Sequence, residues 1–491
     1  MNEDNSSQNI DILDIFTKNA KNYHDDIHGE FPIHEISVAI IDTDVFQRLL
    51  ETKQAGKVKH VYQTATHSRL EHSIGVSYLS TKLVSTLFQY MDPKLKESVA
   101  KEDLLCIMLA ALLHDVGHGP WSHLWDQAVA EKDDNWTHEK GSGLLLDFIL
   151  KTEKTVQNMF SKYNLKENHI AFIKELICAE KSIFASPWPF KARPESCAWM
   201  YEIVSNHTFG IDVDRADYFQ RDAVRCGLDS GKATFSRYIS QARVKIDAET
   251  GRPVIAVPKK DLMSLFEEFF QKRYKLHTTV YQHKTVKKIE LMQTDVLMNS
   301  QDIYRDMYGP SFPELRFMHR DMRFYSLLDE GAIENMIRCS EFKPEVAEKY
   351  TKARTLLQRV AHRQFYPTLA TSETWDDSKV KCHNEFIKLI DDKIGDKQLT
   401  DLIKNGMLVV IKSKFNYGDG EENPMKNFRY FKKTGDDAIF RISDNQKELD
   451  LAVMPARFQS VQFTLVYKGM SEEEIGARVL EKIVDEFDAY F

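Results

Sequence analysis

The stretch LAALLHDVGHGPWSH, residues 109–123, constrains this chain more than any other. Every residue from Leu104 to Leu113 is apolar, so a helix carrying that run has no solvent-facing side and belongs inside a packed core. The run leads directly into His114, Asp115, His118 and His123, interrupted by Gly117, Gly119 and Pro120. Glycine and proline end regular helix and allow close approach by other groups. A helix over about 103–115 therefore delivers a cluster of ionisable side chains to its own C-terminal end. Adjacent helical residues diverge by about 100°, so His114 and Asp115 converge on one ion only at such an end.

The remainder of the chain bounds what surrounds that helix. With 491 residues, 42% of them hydrophobic, it can bury at least one large core, and its length suggests two or three domains. A net charge of -8 argues against nucleic-acid affinity from an overall basic surface and leaves Lys and Arg to act locally. The six cysteines form no CxxC pair and read as reduced intracellular thiols. The opening MNEDNSSQNIDILDIF is acidic and polar, unlike a signal or transit peptide. The apolar run at 104–113 falls far short of the roughly 20 residues that cross a bilayer. These features predict an intracellular protein of the cytoplasm or nucleus, without a membrane segment.

Helical periodicity dominates from about residue 21 to 300. In GVSYLSTKLVSTLFQY, Val76, Leu79, Leu83, Val84 and Leu87 share one helical face until MDPKL breaks it, and His72 is expected just before that helix. VKIDAETGRPVIAV, 244–257, reads as a hairpin. The pattern stays helical to about 405, after which GMLVVIKSKF, FRYFKK, AIFRIS and FTLVYKG read as strands. SEEEIGARVLEKIVDEF closes the chain as a helix capped by Ser471, with Glu474 at the capping-box position. The expected fold is mostly α: a loose segment at 1–20, a helical core at 21–300, and a smaller helical and mixed α/β lobe at 301–491.

An ion held at His114 and Asp115 needs ligands from elsewhere. HSRLEHS supplies His72, and GIDVDRADYFQRD carries Asp214, Tyr218 and Asp222 on one helical face. A nitrogen and oxygen set without thiolate suits Fe, Mn, Zn or Mg with open positions, and points to hydrolysis rather than structural zinc.

Together these segments resemble the HD-domain phosphohydrolase superfamily, and more specifically the SAM-and-HD-domain deoxynucleoside triphosphate triphosphohydrolases. The resemblance rests on IIDTDVFQRL, ATHSRLEHSIGVSYL, LLHDVGHGPWSHLWD, WTHEKGS, YEIVSNHTFGIDVDRADYFQRD and LHTTVYQHK, and continues more weakly past NYGDGEENP. It implies a catalytic core without room for a SAM domain. It further implies metal ligands His72, His114, Asp115 and Asp214, and an acid/base set of His138, His123 and Asp126. Arg69, His118, Arg215 and Arg273 would meet the triphosphate, itself carrying Mg or Mn. Gln54, Asp222 and Tyr281, beside Tyr218, would read the sugar. The implied reaction turns a dNTP and water into a deoxynucleoside and tripolyphosphate.

Animal members of that family bind activating nucleotides between subunits, and Lys21, Asp42, Gln47, Arg237 and Lys284 fit parts of that surface, implying a homodimer or tetramer. Leu50 departs from it, standing where those enzymes use an arginine against guanine; a leucine donates no hydrogen bond. His24 and Thr279 also depart, so guanine-nucleotide dependence is expected to be weakened or absent. Arg215 stands where the family usually has lysine, and Ala55 where it tends to have leucine beside the sugar, which loosens ribose exclusion.

Two other readings compete. An HD phosphohydrolase could act on another nucleotide, and a nucleic-acid-binding protein could retain a vestigial HD core. The tract QKRYKLHTTVYQHKTVKK interleaves basic and aromatic residues as single-strand binders do.

Overall fold

The computed structural model describes residues 12–127, 136–178, 181–228, 235–374, 383–432, 439–442 and 455–491. Among them the protein is mostly α, with three small sheets. The apolar run forms helix α3, Lys101–Leu113, in which every residue from Asp103 to Leu113 is buried. It packs between α2, Arg69–Gln89, and α5, Glu167–Ile177, with α4, His138–Thr152, lying beside α5. Truncating a leucine at the centre of α3, such as Leu112, removes contacts on all sides and is worth about 2–5 kcal/mol.

Helix α2 starts earlier than its apolar stripe. The Ser68 backbone N–H donates to the Glu71 carboxylate at 2.8 Å, so the cap lies at Ser68 and His72 sits inside the first turns rather than ahead of the helix. Helix α6, Val213–Arg225, is capped by Asp212, whose carboxylate accepts from the Arg215 N–H at 2.9 Å. It packs across α2 through Gly75, where a Cβ would meet Asp217 Oδ1 at 2.2 Å.

Several expectations change. Residues 12–20, read as loose, include helix α1, Ile12–Thr17, because Phe16 reaches the main core; residues 1–11 lie outside the described residues. Strands β1, Lys21–Asp25, and β2, Gly29–Ile33, form an antiparallel hairpin in a stretch read as helical. Five-residue strands give too little alternation to read, and tertiary packing holds this pair: Phe31 stacks on Tyr78 at 4.0 Å. The hairpin of β3, Arg243–Ile246, and β4, Pro253–Pro258, forms as expected.

The boundary expected near residue 300 does not separate two cores. Helix α7, Lys284–Met298, packs on α8, Thr351–Ala361, and the main core runs on through Leu328, Ile337 and Leu357 to Tyr366. A second core gathers Phe386, Leu399, Phe463, Leu465, Ile483 and Phe487. It lies under a three-stranded antiparallel sheet in the order β5, Thr368–Thr374, then β9, Gln459–Tyr467, then β6, Leu408–Asn416. Strand β5 falls where helix was expected; its run TLATSET is polar, and only its partner β9 makes it a strand. Strands β7, Arg429–Phe431, and β8, Ile439–Arg441, extend the β3–β4 hairpin into a mixed four-stranded sheet. The closing segment is split: Ser471 caps a short 3-10 turn, and Gly476 at φ +83 separates it from the helix Ala477–Tyr490.

Helices after 300 also brace the loop that follows α3. Tyr325 Oη donates to the Gly117 carbonyl at 2.7 Å, while buried Arg48 donates to the carbonyls of Val116 at 2.6 Å and His118 at 2.8 Å. Glu330 accepts from the N–H groups of Lys53 and Trp121, both at 3.0 Å. These bonds hold Trp121 and Ser122 at φ 60 and 59, a left-handed conformation that costs non-glycine residues about 1–3 kcal/mol each. No helix among the described residues is long and apolar enough to cross a membrane. Cys106, Cys197, Cys226 and Cys339 carry free thiols.

Candidate metal centre and the adjoining histidine cluster

The end of α3, the second turn of α2 and the first turn of α6 meet at one point. His114 Nδ1 lies 2.8 Å from the Ala111 carbonyl, which only accepts, so Nδ1 bears a hydrogen and Nε2 is the atom turned toward the carboxylates. His72 Nδ1 lies 2.7 Å from Asp217 Oδ2 in the same way. Both Nε2 atoms are buried and lack a hydrogen-bond partner. Asp214 Oδ1 stands 3.0 Å from His72 Nε2 and 3.4 Å from His114 Nε2, and Asp115 contacts the same two atoms at 3.4 and 3.5 Å. Two orphaned imidazole nitrogens facing two carboxylates are the donor set of a divalent cation site.

The electrostatics agree. Burial disfavours charge on His72, yet Asp214, Asp217 and Asp115 outweigh it and hold the imidazole up at about 10. Burial likewise opposes ionisation of Asp214, but His114 and His72 hold its carboxyl well down. A group of carboxylates that draws a proton so strongly also favours a divalent cation in its place, with the imidazoles neutral. Arg69 pairs with Asp115 and donates to Ser122 Oγ at 2.8 Å, which fixes the carboxylate from its other side.

A second group lies alongside. His118, His123, Asp126 and His138 place their polar atoms within 4.8 Å of one another. His138 stacks on His118 at 3.8 Å, with its Nδ1 3.2 Å from Asp126 Oδ2 and its Nε2 3.2 Å from Glu139. Burial lowers His138, but Asp126 and Glu139 outweigh it and raise it above the usual imidazole value. His118 moves the opposite way, pushed well down by burial and by Arg69 and His138. Enclosure, Arg69 and His138 also lower His123, although 68% of its side chain remains accessible, so water screens part of that repulsion.

One cavity of about 1010 Å³ joins the two groups. Gln54, Arg69, Asp115, His118, His123, His138, Asp214, Arg215, Tyr218, Asp222, Arg273 and Tyr281 all line it. His72 and His114 stand behind its wall. Lys21, Asp42, Gln47, Arg237 and Lys284 do not line it; all five are exposed, Arg237 paired with Asp261 and Gln47 donating to the Ile41 carbonyl.

Asp222 is held between His67 Nε2 at 2.5 Å and the Tyr281 hydroxyl. Gln54 Oε1 is buried without a hydrogen-bond partner. Arg273 uses Nη1 on His277 at 2.8 Å and leaves its buried Nε without a partner. Two wide π-helical turns, Phe266–Gln271 and His277–Tyr281, flank Arg273 and present it, His277 and Tyr281 to the cavity together.

Sequence reasoning missed the layer behind the ligands. Asp217 is fully buried, and Arg221 donates to both its oxygens at 2.9 Å. Its signal was its place in GIDVDRADYFQRD, three residues after Asp214 and four before Arg221, a spacing that sets it beside both. His277 and Gln282, inside LHTTVYQHK, also line the cavity, as do Lys412 and Lys414 on β6, and nothing local in the sequence points to the two lysines.

A model of the HD domain matches residues 69–222. Deoxynucleoside triphosphate triphosphohydrolase SAMHD1 of Homo sapiens is 32% identical over 448 residues, spanning 89% of this chain and 69% of that protein. The protein of the same name from Danio rerio is 32% identical over 477 residues, spanning 95% of this chain and 74% of its own. The SAMHD1 homolog of Dictyostelium discoideum is 28% identical over 453 residues, 90% of this chain and 76% of that one. The HD match runs from Arg69 to Asp222 and so includes the His/His/Asp/Asp centre whole: the chain is a hydrolase of the HD-domain family, and it belongs to the SAMHD1 branch of that family.

Proposed function

We propose that the protein hydrolyses deoxynucleoside triphosphates to a deoxynucleoside and tripolyphosphate. One observation carries this reading: a single cavity presents Asp115 and Asp214 of the His/His/Asp/Asp centre, the His138 imidazole, arginines and an unpartnered amide oxygen together. His72, His114, Asp115 and Asp214 would hold the cation, and their nitrogen and oxygen donors suit Fe, Mn, Zn or Mg. A divalent ion bound there supplies electrophilic stabilisation of the α-phosphate, and Mg or Mn accompanies the triphosphate.

The chain's own groups do the rest. Arg69, His118, Arg215 and Arg273 bind phosphate oxygens; the partnerless Nε of Arg273 suits that role. His138, whose imidazole Asp126 and Glu139 raise above its usual value, is the proton source for the departing 5′-oxygen, with His123 beside it at the open side of the cavity. Gln54 Oε1 needs a donor, which a sugar 3′-hydroxyl provides, and Tyr281 and Asp222 close the sugar side. Ala55 lines the same cavity with a small side chain, which relaxes exclusion of a 2′-hydroxyl.

Lys21, Asp42, Gln47, Arg237 and Lys284 form a regulatory surface completed by a second subunit in a dimer or tetramer. Leu50, half exposed, gives no hydrogen bond to guanine, so the enzyme works on dNTPs without GTP. The single-strand-binding reading is disfavoured because Arg273, His277 and Tyr281, the centre of its basic and aromatic tract, line the cavity instead of an open face.

The test is product analysis with dATP or dTTP and Mg or Mn, with and without GTP, against Asp115→Ala. Tripolyphosphate from the wild type without GTP, and none from Asp115→Ala, supports the full reading. Hydrolysis only with GTP keeps the activity and removes the Leu50 argument. No hydrolysis of dNTPs alongside cleavage of cyclic nucleotides or nucleoside monophosphates refutes the substrate assignment.

A further inference from the structure

The hairpin β1–β2 touches the metal centre from behind. His28, in the turn after β1, places Nε2 2.6 Å from Asp217 Oδ1, and the other oxygen of Asp217 meets His72 Nδ1 at 2.7 Å. The turn that carries His28 is preset: Asp25 Oδ1 accepts from the N–H groups of Ile27 and His28, both at 2.8 Å. The second oxygen of Asp25 accepts from Arg221 Nη1 at 2.8 Å, and Arg221 in turn grips Asp217. The His28 ring lies 5.7 Å from Tyr78, which stacks on Phe31, so the hairpin docks on α2 and α6 at once. Asp217 is wholly enclosed, and rotation of its carboxylate would turn the His72 ring and its Nε2 lone pair away from Asp214 and His114.

We propose that His28 is a positioning residue of the metal centre, acting on His72 through Asp217. This rests on the metal-centre reading above. A neutral hydrogen-bond donor suffices for the role, because what His28 supplies is direction to Asp217 Oδ1, where Arg221 Nη2 alone, at 2.9 Å, leaves the carboxylate held from one side. Outer partners of a ligating histidine tune its affinity for metal, and their loss typically weakens binding about 10- to 100-fold.

The test uses the full chain as wild type, His28→Ala, His28→Phe, His28→Gln and His72→Ala. Phenylalanine keeps the ring packing against Tyr78 and Phe31 without a donor, and glutamine offers a donor without the ring. Each protein is loaded with Mn, and the metal retained per chain is measured against graded chelator, alongside thermal unfolding. A cobalt-loaded sample gives the visible ligand-field spectrum.

His28→Ala and His28→Phe should both bind Mn about 10- to 100-fold more weakly, with an altered cobalt spectrum. Their lost hydrolysis should return at excess metal, with nucleotide KM unchanged, and His28→Gln should stay within a few-fold of wild type. Wild-type retention in folded His28→Phe, or a melting loss in His28→Ala without a change in retention, overturns the proposal. If wild type and His72→Ala retain equally little metal, the metal-centre reading falls, and this inference with it.

Discussion

Gly117 is the point where the HD loop and α4 touch, and replacing it with alanine gives a sharp test of how the site is assembled. A Cβ there would lie 2.0 Å from the His138 carbonyl oxygen and 2.3 Å from the Ser142 nitrogen, both backbone atoms that cannot swing aside. Real Cβ contacts do not fall below 3.0 Å, so the loop and the start of α4 must separate by about 1 Å.

That motion strains two bonds at Gly117: its N–H to Ser142 Oγ at 2.8 Å, and its carbonyl from Tyr325. Ser142 also donates to the His114 carbonyl at 2.7 Å, so the displacement reaches a proposed ligand. Overpacking at about 1–3 kcal/mol, plus weakening of bonds worth about 1 kcal/mol each, gives roughly 2–4 kcal/mol of lost stability. The His118–His138 stack straddles the same contact, and about 1 Å of misplacement is worth on the order of 100-fold in turnover.

Gly143→Ala, in the same helix, is the matched control. Its Cβ would meet only the Lys174 side chain, at 3.6 Å, and removing a helical glycine should stabilise by about 0.5–1 kcal/mol with turnover unchanged. The assays are thermal unfolding and dNTP hydrolysis on the two variants side by side. If Gly117→Ala matched wild type in both, or Gly143→Ala lost as much, the close packing of loop on helix would not be what aligns the histidines.

Two further perturbations follow from ionisable groups. Asp126→Asn removes a carboxylate that raises His138, so the alkaline limb of the kcat profile should move to lower pH; an unmoved limb would mean that His138 is not the proton source. Burial pushes the Glu202 carboxyl up to about 8, above its unfolded value, so its contribution to stability is whole at acid pH and is lost as pH rises through about 8. Glu202→Gln should therefore be close to wild type in stability at pH 5 and above it at pH 9, by on the order of 4 kcal/mol; parallel melting curves across that range would refute the assignment.

The candidate centre of this protein is legible in its sequence because the residues proposed for it follow local rules. An unbroken apolar helix has one place to go, and the turn that ends it carries two of the four proposed ligands. The helical face of Asp214, Tyr218 and Asp222 follows from the 3.6-residue period, and all three reach the cavity. Helix periodicity and motif spacing are properties of neighbouring residues, which is why they survive without any knowledge of what packs where.

What tertiary structure alone decided are the partners that meet across long stretches of chain. Asp217 looks from the sequence like one more polar residue of α6, and becomes the anchor of His72 only because Gly75 lets α6 approach α2. His28 joins them from a hairpin too short for its alternation to register, held by Phe31 against Tyr78. The same holds for β5, a polar run made into a strand by β9, and for residues 301–366, whose apolar faces fill the main core instead of starting a separate one. Local periodicity says which face of an element is apolar, whereas the identity of the surface that covers it depends on every other element packing at once.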